Sequence, residues 1–193
     1  MRICLYGAAS PTIDPAYIQA TEAFGRELAR RGHSLVFGGG GHGLMGAAAR
    51  GFHEAGGHIL GVIPRFFAED EIEATSDLCS QVIETDTMRQ RKQTMEENAD
   101  AFLMVPGGIG TYEEFFEILT SKQLCRHNKP IAIYNLLGYY EPLNKLMEEG
   151  IRQNFIRQSV TDLYIISNDP EVLIRYMETP QTDAKSIKEL KDG

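Results

Sequence analysis

The sequence predicts an α/β protein of Rossmann-like type, with a mostly parallel sheet of about seven strands and helices on both faces. Two observations carry that prediction. Short apolar runs (ICLY, SLVF, HILGVI, QVIE, AFLMV, IAIY and LYII) alternate with longer amphipathic stretches, the pattern of repeated βαβ units. Three of those runs are followed by glycine or other small residues just before a helical segment, as at the strand ends of open α/β sheets. With 193 residues, 42% hydrophobic and 24% charged, the chain has the size and core of one domain. That domain is expected over 1–178, with 179–193, polar and charged, as a surface tail.

The first helix is expected from Pro15 to Arg31, because Asp14 suits the N-cap, Pro15 the first helical position and Gly32 the stop. A second starts near Leu44 after a glycine run and ends at Gly56-Gly57. A third spans Thr87 to Asn98 with Asp86 as cap. A fourth runs from Thr111 to about Leu124, with Phe115, Ile118 and Leu119 on its apolar face. Leu143 to Ile151 and Glu171 to Met177 supply two shorter helices.

Composition narrows the function. A formal charge of −8 opposes the long-range attraction that nucleic acid or an anionic membrane needs, while a local basic pocket still suits one phosphorylated metabolite. Cys4, Cys79 and Cys125 are far apart and unpaired in spacing, which suggests neither a disulfide framework nor a zinc site. The chain opens directly into MRICLY and contains no apolar run of membrane length, so a cytoplasmic protein is expected. The five histidines are scattered, and no metal centre is expected.

The chemistry is expected where strands hand over to helices. GAASP (7–11), GGGGHGLMG (38–46) and PGGIGT (106–111) each follow a strand, and in a parallel sheet all three emerge on one edge. Glycine lets backbone approach a ligand closely, and the free amides of a helix start attract phosphate. The second loop lacks the GK[ST] ending of a P-loop and an acidic partner at dinucleotide spacing, so neither NTP hydrolysis nor NAD chemistry is indicated. In MRQRKQTM, Met88, Arg91, Lys92 and Met95 share one helical face. Two readings stay open there: a partly exposed helix whose methionines touch the core, or a pocket wall offering apolar surface to a base and cations to an anion. Thr111 and Glu114 have capping-box spacing, and Glu113 and Glu114 suit the positive end of a helix dipole. One of these carboxylates facing the glycine turn, across from Arg91, is the functional alternative. No nucleophile elbow appears.

PGGIGTYEE, preceded by MRQRK and GGGGHGLMG, resembles the Lonely Guy family, whose hallmark is PGGxGTxxE with an upstream MxxRK. The resemblance extends from ICLYGAAS through LLGYYEPL to the last expected strand. It implies a cofactor-free nucleoside 5′-monophosphate phosphoribohydrolase that releases the base of AMP, or of an N6-modified AMP, together with ribose 5-phosphate. In plants and some microbes the free base is an active cytokinin. Members are also labelled lysine decarboxylases, chemistry that needs a pyridoxal phosphate on a Schiff-base lysine and a much larger fold.

Matched residue by residue, the resemblance implies catalytic roles for Arg91 and Glu114. It implies substrate contacts for Lys92 and for the amides of Gly107, Gly108, Gly110 and Thr111. Met88 would lie against the base, and Ser10, Gly41, Glu71, Glu113 and Thr120 would be further substrate contacts. A homodimer is implied as well. Two departures bear on the base pocket. GAAS stands where relatives often have CGSS or CGAS, and Ser121 where many have tryptophan. A nucleotide sensor of the same fold and a base-exchanging sugar transferase are the rival functions.

Overall fold

A computed structural model describes residues 1–69 and 75–181 of the protein. Seven strands form one sheet: β1 (Arg2–Tyr6), β2 (Ser34–Phe37), β3 (Ile59–Pro64), β4 (Gln81–Thr85), β5 (Ala101–Met104), β6 (Ile131–Tyr134) and β7 (Ile165–Ser167). The order is β4-β3-β2-β1-β5-β6-β7, and every ladder within the sheet is parallel. The helices are α1 (Pro15–Arg30), α2 (Gly43–Glu54), α3 (Arg65–Glu69), α4 (Met88–Glu97), α5 (Ile109–Gln123), α6 (Glu141–Arg152) and α7 (Pro170–Glu178). Short 3₁₀ turns lie at Leu136–Gly138 and Gln158–Leu163.

Strand alternation divides the core in two. Ile3, Leu5, Leu35, Phe37, Ala101, Leu103, Ala132 and Tyr134 face α1, α2 and α7. Cys4, Tyr6, Val36, Phe102, Met104, Ile131 and Ile133 face α4, α5 and α6. The central strands are buried on both faces, which is why they read as continuous apolar runs rather than alternating ones. α1 and α2 pack at backbone distance. A Cβ on Gly25 would lie 2.7 Å from the Ala48 carbonyl oxygen, and one on Gly51 would lie 2.1 Å from that of Glu22.

Two helix starts differ from expectation. Thr87, not Asp86, caps α4, its hydroxyl accepting from the Gln90 amide at 3.1 Å, while the Gln90 side chain accepts from the Asp86 amide at 2.9 Å. α5 begins at Ile109 with Gly108 as cap, so Thr111 and Glu114 make no capping box. Thr111 instead turns inward, its Oγ1 only 2.1 Å from where a Cβ on Gly107 would sit.

The strand order reverses between β1 and β5, the topological switch point at which ligands bind in open sheets. There the three predicted loops are stitched together. The Ala8 amide donates to the Pro106 carbonyl at 3.1 Å, and the Leu44 amide donates to the Ala8 carbonyl at 2.8 Å. Gly43 permits this with φ +58° and no Cβ, since one would meet the Ala8 oxygen at 2.3 Å.

Candidate active site

Arg91, on the inner face of α4, is 6% exposed. Its Nε donates to the Val62 carbonyl at 3.1 Å and its Nη2 to the Gly38 carbonyl at 2.9 Å, so the ends of β3 and β2 hold the guanidinium. Phe67 lies under the cation, 5.2 Å from Cζ to the ring centroid. Gly38 is required for this seat: a Cβ there would stand 2.0 Å from Arg91 Nη2. Bound carbonyls and a ring face make burial of the charge tolerable. Neither open reading of this helix describes it fully, because Met95 enters the core while Met88 stays 39% exposed, its Sδ 3.9 Å from Arg91 Nη1.

Glu114 projects from the second turn of α5 and is half-buried. Burial pushes its carboxyl up from 4.5 to about 7, and the nearby Arg91 charge is the largest influence in the opposite direction. The Arg91 charge thus acts on the Glu114 carboxyl through space. Among the described residues the Glu114 carboxylate makes no hydrogen bond, which leaves its oxygens available to a ligand.

The glycine turn lies beside this pair. Gly108 and Gly110 are exposed and Thr111 is buried. The turn is braced from behind, where the Tyr139 hydroxyl donates to the Gly107 carbonyl at 2.7 Å and the Tyr140 hydroxyl to the Val105 carbonyl at 2.7 Å. A cavity of about 190 Å³ opens between Ala8, Ile13, Tyr17, Leu44, Pro106 and Tyr139. Gly107 and Gly108 of the turn line it as well, whereas Arg91 and Glu114 do not. Tyr17 and Tyr139 meet there edge to face at 6.2 Å. Sequence reasoning passed over both tyrosines; Tyr139 directly follows Gly138, and Tyr17 carries no comparable signal.

Other expected contacts fall differently. Ser10 is exposed, its hydroxyl shared with Thr12 Oγ1 at 3.0 Å, and Gly41 sits in the second loop with its carbonyl against Gly46. Lys92 does not face an open phosphate position: it pairs with Glu113 and, at 2.6 Å, with Glu117. Glu113 is thereby committed to Lys92 rather than to the turn. Thr120 lies nine residues along α5 from Thr111, about 14 Å by helical rise, and lines a separate cavity with Phe116, Gln123 and Phe155. Glu71 falls outside the described residues. Among the described residues no cluster of His, Cys, Asp and Glu could hold a metal ion, and no helix is long and apolar enough to cross a membrane.

Comparison with known proteins reads this geometry. A family model described as "possible lysine decarboxylase" matches residues 45–177. A cytokinin riboside 5′-monophosphate phosphoribohydrolase of Arabidopsis thaliana is 37% identical over 96% of this chain and 85% of its own. A probable enzyme of the same name from Oryza sativa subsp. japonica is 35% identical over 98% of this chain and 78% of its own. The chain belongs to the Lonely Guy family. Among solved structures, the molybdenum cofactor carrier protein of Chlamydomonas reinhardtii superposes with a TM-score of 0.67 over 90% of this chain and 93% of its own. At 22% identity it shares the fold alone.

The decarboxylase wording attached to this family implies pyridoxal phosphate, and among the described residues Lys92, Lys122 and Lys129 do not fit it. Lys92 is held by two carboxylates, and Lys129 Nζ donates to the Glu96 carbonyl. Lys122 is buried and lines none of the cavities described.

Proposed function

We propose that this chain is a nucleoside 5′-monophosphate phosphoribohydrolase, acting on AMP or an N6-modified AMP such as the cytokinin ribotides named for its relatives. The observation that carries the reading is Glu114, a half-buried carboxyl tuned to about 7 beside the fixed Arg91 cation. Such a group is poised near neutrality for acid–base or cation-stabilising work. The amides at the start of α5, with Thr111, would hold the 5′-phosphate at the positive end of the helix. Met88 would offer apolar surface to the base.

In the reaction the C1′–N9 bond breaks, and the base leaves with the bonding pair. Ionised Glu114 faces the oxocarbenium character that develops at C1′ and takes a proton from the attacking water. The water oxygen bonds to C1′, and a proton is returned to the base. Arg91 orients the nucleotide and favours the ionised form of Glu114.

Incubation with AMP and N6-isopentenyl-AMP is expected to release free base and ribose 5-phosphate in equal amounts, with no acceptor base added. The rate should rise with pH through about 7 as Glu114 ionises. Glu114→Gln should cost about a hundredfold or more in turnover. Absence of base release identifies a sensor, release only with an acceptor base identifies a transferase, and full turnover by Glu114→Gln removes the assignment.

A second copy of the chain is the partner proposed alongside this reading. Phe155, which lines the Thr120 cavity, is 87% exposed, and Leu146 on α6 is 60% exposed. Sedimentation equilibrium should return twice the 21.5 kDa of one chain, and a monomer mass at micromolar concentration overturns the proposal. In the cytoplasm proposed for this chain Cys4, Cys79 and Cys125 would stay reduced, and oxidised protein recovered from cells would contradict that placement.

A further inference from the structure

Lys92, Glu113 and Glu117 form an ion-pair cluster that the proposed chemistry does not use. One ammonium from α4 meets two carboxylates one turn apart on α5, at 2.6 Å in the case of Glu117. The Lys92 side chain is mostly covered, while both carboxylates are partly exposed. Burial works against the Lys92 charge. Its hydrogen bonds to Glu113 and Glu117 outweigh that and hold its pKa above the ordinary lysine value.

The two bridged helices hang from different parts of the fold. α4 packs chiefly on β3 and β4, whereas α5 packs on β1 and the 3₁₀ turn at Gln158–Leu163. α4 carries Arg91 and α5 carries Glu114, so whatever fixes one helix against the other also sets the spacing of guanidinium and carboxylate.

We propose that Glu117, together with Glu113, is a positioning residue whose carboxylates hold Lys92 as a strut between α4 and α5. The strut keeps Arg91 and Glu114 in register. It also contributes to the field at Glu114. The charged and titratable groups facing that carboxyl are Arg91 and Lys92 from α4, Glu113 and Glu117 from its own helix, and Cys4 and Tyr6 from β1. Glu113 and Glu117 raise its pKa, while Arg91 and Lys92 lower it. Removing one acidic member of the strut therefore moves Glu114 toward lower pH.

The kinetic part of this inference rests on the hydrolase reading, so the test has a second arm independent of activity. Glu117→Gln is isosteric and alters one partly exposed group, and its melting temperature checks the fold. The expected result is a fall in kcat of about tenfold with KM nearly unchanged, as for a displaced catalytic pair, and partial rescue by Glu117→Asp. In carboxylate-labelled protein without substrate, the ¹³C titration midpoint of Glu114 is expected to move to lower pH. If Glu117→Gln instead lowers KM at unchanged kcat, the freed Lys92 is a substrate ligand and the strut is refuted. Unchanged kinetics together with an unchanged midpoint refute it as well. A wild-type protein that releases no base defeats the hydrolase reading alone, and the midpoint then decides the strut.

Discussion

Two cations are buried on the same side of the sheet, and they are treated in opposite ways. Arg91 enters a prepared seat of two carbonyls and a ring face, with a carboxylate in its field. Lys122, on α5, is 4% exposed, its Nζ has no hydrogen-bond partner among the described residues, and burial pulls its pKa down from 10.5 to about 8. A buried charge with acceptors arranged in advance indicates a site, whereas one without acceptors is a cost the fold carries. That contrast separates the cation proposed to act from the incidental one on physical grounds.

The largest effect is expected on the Arg91 side of the comparison. Arg91→Met leaves the Val62 and Gly38 carbonyls without their donors and removes the charge that favours ionised Glu114. Loss of a preorganised charge in a covered site is worth about 3 kcal/mol in the barrier, or about a hundredfold in base release. The Glu114 limb of the pH–rate profile should also move to higher pH. An Arg91→Met protein with wild-type turnover would place the guanidinium with Lys122, as a buried charge without a task.

Lys122→Met is expected to act in the other direction. The thioether fills the same space without a desolvated ammonium, so urea unfolding at pH 7 should show a gain of about 2 kcal/mol, with base release unchanged. Destabilisation instead would mean that the ammonium has a partner in solution, and the contrast with Arg91 would disappear.

The same contrast marks how far the sequence could be read. The seven strands were legible because buried parallel strands are written as apolar runs, and the loops at the switch point because parallel topology puts strand ends on one edge. The start of α5 was misread because Thr-x-x-Glu satisfies a local capping rule, while Gly107, lacking a Cβ, draws Thr111 inward instead. Asp86 and Thr87 are both cap formers, and only the hydrogen bond to Gln90 distinguishes them. Lys122 follows Thr111, Phe115 and Ile118 on the buried face, so helical spacing points it inward while its chemistry points it outward. Glu117 and the seat of Arg91 were not legible, since each depends on a contact between elements distant in the chain.

The smallest effect is in stability against pH, where Glu114 and Lys122 have opposite signs in separate windows. Glu114 has a folded pKa of about 7 against 4.5, so between those values the folded state binds more protons than the unfolded chain. Its contribution to stability falls as pH rises across that window. Lys122 has a folded pKa of about 8 against 10.5. There the unfolded chain binds more protons, and stability rises with pH. The two together produce a minimum in stability near pH 7 to 8. Subtracting variant from wild-type curves isolates each group from other titrating side chains such as His33. Glu114→Gln should remove the descent on the acid side and Lys122→Met the ascent on the alkaline side. A minimum that survives both substitutions would mean that neither group is desolvated as deeply as its burial indicates.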